Sequence, residues 1–185
     1  MEEIKLLSDD VIEQIKDYNH ENLTKEQESL IDKLILDDEL KQFYKEFGLC
    51  DECKQPMTSD TYHNWCRICN AKRFQQNFKN WTSGNNDVDK FIQKTQLKAK
   101  IHYEILEWIE YDRFEDIKYL AEGGFGTVYK ATWTDGPIKD SEWSRQDKIS
   151  VALKSLHNSA NITAEFLKEV RYFFIILIAL TFYEY

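Results

Sequence analysis

Apolar residues recur every three or four positions in the first half of the chain and every two positions in the second half. Val11, Ile12 and Ile15 fall on one face of a helix that Ser8 or Asp9 can cap. Leu30, Ile31, Leu34 and Ile35 repeat that spacing. Ahead of them Thr24 and Gln27 stand three apart, so the threonine hydroxyl can accept the glutamine amide while the glutamine side chain reaches back. Leu40, Phe43, Tyr44 and Phe47 predict a third helix, opened by Asp37 or Asp38 and stopped by Gly48. Residues 8–47 therefore read as two or three amphipathic helices. Phe74, Phe78 and Trp81 stand at i, i+4 and i+7 and predict a helix with an aromatic stripe, broken at Thr82-Ser83-Gly84-Asn85-Asn86. Another helix is expected from Asn86 or Asp87 to about Glu107, burying Val88, Phe91, Ile92, Ile101, Ile105 and Trp108.

From Phe114 the pattern changes. Residues 114–121 and 126–133 are rich in strand formers and flank a glycine turn, and residues 149–156 form a third such run. The polar stretch 134–148 reads as an extended hairpin loop. Asn161 or Thr163 can cap a last helix bearing Phe166, Leu167 and Val170. Helices followed by a run of strands predict an α+β fold.

The composition changes this picture little. Of 185 residues, 42% are hydrophobic and 31% charged, which fits a soluble globular chain. The net charge of −9 disfavours nonspecific nucleic-acid binding. Most of the acid excess lies in residues 1–47, with fourteen Asp and Glu against six Lys and Arg. Met1-Glu2-Glu3-Ile4-Lys5 does not open a signal peptide. The apolar run Tyr172 to Tyr183 is shorter than the roughly 20 residues that span a bilayer. A cytoplasmic chain with reduced cysteines is therefore expected.

Cys50-x-x-Cys53 and Cys66-x-x-Cys69 are separated by twelve residues. Two such turns supply four soft thiolates, a set that tetrahedral zinc accepts and that leaves no position open for water. The zinc would be structural, and its binding would drive folding of a segment too small to carry a core. Lys54, Arg67, Lys72 and Arg73 would offset the negative charge of a tetrathiolate, and His63 is an alternative ligand. Trp65, Arg67, Lys72, Arg73 and Lys79 with Phe74, Phe78 and Trp81 could mark a nucleic-acid surface, but the last three share one helical face and read as core or partner-facing, so nucleic acid is not an expected partner.

Leu120-Ala121-Glu122-Gly123-Gly124-Phe125-Gly126-Thr127-Val128-Tyr129 reads as a phosphate loop between two strands, where backbone amides approach anionic oxygens without side chains in the way. Val151-Ala152-Leu153-Lys154 follows, with Val151 and Leu153 on one face of a strand and Ala152 and Lys154 on the other. Together these segments resemble the start of a eukaryotic protein kinase domain, over residues 114–170. Ala121, Gly123 and Gly126 stand at the three glycine positions of the family, Gly124 lies beside them, and Phe125 sits at the loop tip. The methyl group of Ala121 departs from the pattern. The resemblance implies an ATP site in which Val128 and Ala152 flank the adenine and Lys154 reaches the phosphates. Glu169, or Glu165 one turn earlier, would pair with that lysine.

The sequence contains no H-R-D and no D-F-G, the motifs that carry the base and the magnesium-binding aspartate in that family. Residues 171–185 are an atypical apolar tail, read as the mark of a truncated gene model or an altered reading frame. The expected organisation is a helical region over 1–48, a zinc-ribbon-like unit with its helix over 49–82, a connecting helix over 83–113 and a partial kinase small lobe over 114–170. The implied activity of the parent family is phosphoryl transfer from ATP with magnesium; this chain would bind ATP without transferring phosphate. The alternatives are a noncatalytic zinc-stabilised module that binds another protein through the helices or the zinc unit, and a zinc-ribbon nucleic-acid binder.

Overall fold

The computed structural model describes residues 5–59, 65–124, 126–139 and 143–156. Among them are helices α1 (Asp9–Ile15), α2 (Lys25–Leu34), α3 (Asp38–Phe47), α4 (Arg67–Asn77) and α5 (Asn86–Lys98), and strands β1 (Phe114–Gly123), β2 (Gly126–Trp133) and β3 (Ile149–Leu156). The fold is α+β, and the helix expected at 161–170 lies outside the described residues.

Local chemistry sets the first three helices. Ser8 precedes α1 without capping it through its side chain. Thr24 and Gln27 form the reciprocal capping box at α2. Asp37 caps α3 by accepting the Leu40 amide at 3.0 Å. The apolar faces close on one core of Leu7, Ile12, Ile15, Ile31, Ile35 and Tyr44. Burying side chains of this size contributes roughly 1.5–3 kcal/mol each. Tyr44 is 1% exposed and donates its hydroxyl to the Ile15 carbonyl at 3.1 Å, supplying a partner at the end of α1. Gly48 then ends α3 at φ 72°, and a Cβ there would lie 2.7 Å from the His20 ring. Only glycine fits that turn and that approach.

The next two helices differ from the sequence expectation. The helix expected to leave the cysteine unit begins inside it, at Arg67, and ends at Asn77. Phe78 lies in a short 3₁₀ turn and Trp81 is extended, so the aromatic stripe is split. Phe74 and Phe78 pack with Trp65, whereas Trp81 packs with Val88 and Ile92. Asn85 caps α5 by accepting the Asp87 and Val88 amides. That helix ends at Lys98 rather than near Glu107. The physical reason lies in the destinations of the residues beyond it. Ile105 joins the Trp65 cluster while Leu106 and Trp108 join the Val88 cluster, and one straight helix face would not reach both. Gln96 donates to the Leu106 carbonyl and Glu104 accepts the Lys100 amide, pairing backbone groups that the helix gives up.

The sheet is antiparallel in the order β1-β2-β3. Its buried face holds Phe114, Ala131, Trp133, Val151 and Leu153. Its register sets Val128 opposite both Ala121 and Lys154, and Lys130 opposite Ala152. β1 carries two register shifts against β2, and Tyr119 and Leu120 are exposed. The connection from β2 to β3 is not the purely polar loop its composition suggests. Ile138 is 3% exposed, and its backbone pairs with Arg145 across the two arms of the connection.

Replacing Tyr44 by Phe removes the bond to Ile15 and should destabilise the chain by about 1 kcal/mol in denaturant titrations. Burial pushes the Tyr44 phenol up to about 12. The folded state therefore holds this proton after the unfolded chain, with an ordinary value near 10, has released it. The stability tied to this proton is intact below pH 10 and lost as pH rises through 12, and Tyr44→Phe should flatten that part of the stability curve.

Candidate metal centre

Cys50 follows directly from the turn that ends α3. Leu49 bridges to Pro56, the Met57 amide donates to the Gly48 carbonyl at 3.0 Å, and the Cys50 amide donates to the Gln55 carbonyl at 2.9 Å. Lys54 adopts φ 56° and donates its amide to the Cys50 carbonyl, closing a tight knuckle around Cys50 and Cys53. The second pair comes from a helix start. Cys66 precedes α4 and Cys69 lies in its first turn, both turned into the interior.

Fixed partners hold the two segments together. The Gln55 side chain accepts the Leu7 amide at 2.7 Å and donates to the Leu7 carbonyl at 3.0 Å, as a backbone strand would. Thr58 donates its hydroxyl to the Lys100 carbonyl at 2.7 Å. Trp65 is fully buried and donates its indole to the Ala99 carbonyl.

All four sulfur atoms lie within 4.8 Å of one another. Cys50 and Cys69 are 3.8 Å apart and Cys53 and Cys66 are 3.4 Å apart, so none forms a disulfide. A zinc ion with bonds of about 2.3 Å sets tetrahedral sulfur edges near 3.8 Å, and the Cys50–Cys69 and Cys53–Cys66 separations are close to that size. The four cysteines could therefore hold a zinc ion. Four thiols this close do not ionise independently. Cys50 and Cys53 hold the Cys66 thiol up, with burial adding to the effect. Burial foremost raises Cys69. Hydrogen bonds from Cys53 and Cys66 pull Cys50 down, favouring one thiolate among protonated neighbours. A cation bound by all four would take the place of those protons.

Basic residues near the cysteines have carboxylate partners. Arg73 pairs with Glu52 at 2.9 Å and Lys54 lies 3.8 Å from Asp51, so two of the four basic residues also answer local carboxylates. The Nε of Arg67, beside Cys66, is buried without a hydrogen-bond partner among the described residues. His63 lies outside the described residues. Trp65 and Phe74 are buried and are not offered for base stacking.

The residues of the glycine loop form a second group. Gly123 pairs with Gly126 at the closed end of the β1–β2 ribbon, with Gly124 in the turn. A Cβ at Gly123 or Gly124 would meet nothing within 4 Å, so packing does not dictate glycine at either position. Ala121, Val128 and Lys154 form a row across the three strands, and Ala152 lies on the same face, two residues before Lys154. Val128, Ala152 and Lys154 are half-buried. Phe125 and Glu169 lie outside the described residues.

Several residues that frame the centre carry no sequence signal of their own. Asn70 is 1% exposed and accepts the Trp143 indole N–H at 2.9 Å. Trp143 also meets the Phe74 ring, with centroids 4.7 Å apart. Glu107 accepts from Arg145 at 2.6 Å and from the Ile138 amide at 3.4 Å. Burial raises Glu107 despite the guanidinium beside it. The available hint was an isolated Ile and Trp inside an otherwise polar stretch.

No family model matches this chain, and no curated protein or solved structure matches it either. Among the described residues, no helix is long and apolar enough to cross a membrane.

The tetrad should take up one cobalt ion per chain, with the visible and near-ultraviolet absorption of a tetrahedral thiolate site, and zinc should displace it. Cys69→Ser should weaken uptake by at least about tenfold. A chain that gains no such absorption at stoichiometric cobalt would not hold a metal here.

Proposed function

We propose that residues 114–156 carry the nucleotide-facing part of a protein-kinase-type small lobe, and that the chain is an ATP-binding segment whose N-terminal part is stapled by structural zinc. The observation that carries this reading is the row Ala121, Val128 and Lys154 across one face of the sheet, beside the Gly123–Gly126 closure. A phosphate group at that closure would meet the backbone amides of a glycine-rich turn. Lys154, on the third strand, would supply the positive charge. Val128 and Ala152 share its face and offer a small apolar platform for adenine.

The 185 residues contain no H-R-D or D-F-G, so the reading for this chain is nucleotide binding alone. Transfer to a protein hydroxyl would be the activity of the parent, with magnesium supplying charge neutralisation at the phosphates. A second reading is a noncatalytic module that binds another protein. It is favoured by Leu6 and Leu36, 56% and 85% exposed, which flank the ion pair of Lys5 with Asp37.

At about ten times its Kd, an ATP analogue should raise the melting temperature by roughly 3 °C. Lys154→Met should abolish the shift while leaving the unliganded melting temperature within about 1 °C, because the residue is not in the buried core. An equal shift in both proteins would rule out this use of Lys154. No shift in either, together with capture of a partner that Leu36→Glu abolishes, would favour the interaction module.

A further inference from the structure

The metal centre and the sheet are far apart in sequence, yet one side chain touches both neighbourhoods. Trp143 comes from the connection between β2 and β3 and lodges against α4, where its indole N–H donates to Asn70 and its ring lies on Phe74. Asn70 follows Cys69 directly. Its side-chain amide and its backbone amide both donate to the Cys66 carbonyl, at 3.0 Å each. The residue that receives Trp143 is therefore oriented by the turn that carries two of the four sulfurs.

That turn lacks an ordinary cap. Cys66 stands at the N-cap position of α4, where its sulfur is a weaker acceptor for the first helix amides than the oxygen of an ordinary cap. Weakly capped first turns fray. A metal ion bound through Cys66 and Cys69 would fix the same turn by coordination instead. On the other side, Trp143 sits among residues that lead straight into the strands. Ile138 pairs with Arg145, Arg145 donates to the Gly136 carbonyl at 2.8 Å, and its guanidinium lies 5.8 Å from the Trp133 ring centroid at the end of β2.

We propose that metal occupancy of the four cysteines is transmitted to the β2–β3 strand pair through Trp143, so that the N-terminal metal unit sets the order of the sheet. With the ion bound, the first turn of α4 holds Asn70 in place, Trp143 stays seated, and the two arms of the connection keep the strands in register. With the ion removed, the turn loosens and the wedge loses its seat. This rests on the metal reading of the tetrad and is independent of what the sheet binds.

The test is amide hydrogen exchange on the full chain, with zinc and after chelation, with bound zinc counted in each sample. Chelation should speed exchange about tenfold in residues 126–133 and 149–156 as well as in 66–77. Trp143→Phe should keep one zinc per chain and keep the response of 66–77, but reduce the response of the strands to less than about twofold. Asn70→Leu tests the same link from the helix side if the Trp143 variant folds poorly. Strands that ignore chelation in the parent chain while 66–77 opens would overturn the proposal. So would strands that respond equally in parent and variants, which would indicate general loosening. A parent chain that binds no zinc defeats the metal reading and this proposal together, and the zinc count identifies that outcome.

Discussion

Two short segments, the knuckle that follows Gly48 and the first turn of α4, converge on four sulfur atoms. Much of the long-range hydrogen bonding of the helical region ends within a few residues of that point. Gln55 ties the N-terminal segment to the knuckle, Thr58 and Trp65 tie it to the residues after α5, and Asn70 ties it to the sheet connection. Neither segment buries enough apolar surface to hold this geometry alone, since the cluster around the sulfurs consists of Met57 and the cysteines with Phe47 and Ile68 at its edge. Separate small clusters surround it, around Ile31, Trp65 and Val88. A metal ion held by the sulfur tetrad would add a joint between the two segments to these hydrogen bonds.

The sheet has two unlike ends. Phe114, Trp133 and Val151 bury its base, whereas Tyr119 and Leu120 stand exposed towards the glycine turn. The buried end is where Glu107, Arg145 and Ile138 cluster, and it faces the helical region. At the exposed end Gly123 pairs with Gly126 and closes the β1–β2 ribbon. Buried and exposed side chains thus sit at opposite ends of the same strands.

Elements governed by local chemistry were legible in the sequence. The Thr24 capping box, the Gly48 stop, the three strands and the alternation of Val151 and Leu153 against Ala152 and Lys154 follow from side-chain spacing and backbone preference. The four cysteines were legible because their spacing carries its own geometry. Elements decided by distant partners were not. The helix was expected to continue past Lys98 because Ile101, Ile105 and Trp108 keep a plausible period, but their partners lie in two different clusters. Asn70 and Trp143 looked like an ordinary helix polar residue and a loop aromatic. Their pairing spans 73 positions, and no local pattern encodes it.

Gly136 gives the β2–β3 connection a character that its composition hides. At φ 62° its Cα lies so close to the opposite arm that a Cβ would stand 2.5 Å from the Gln146 carbonyl oxygen and 2.7 Å from that of Asp147. The obstacles are backbone atoms, which do not swing aside as a side chain does. A stretch that reads as a tolerant surface insertion therefore contains a position where nineteen of the twenty amino acids are excluded by shape. Among variants of this chain, substitutions should accumulate freely at exposed sites such as Lys139 and be purged at Gly136, three residues away.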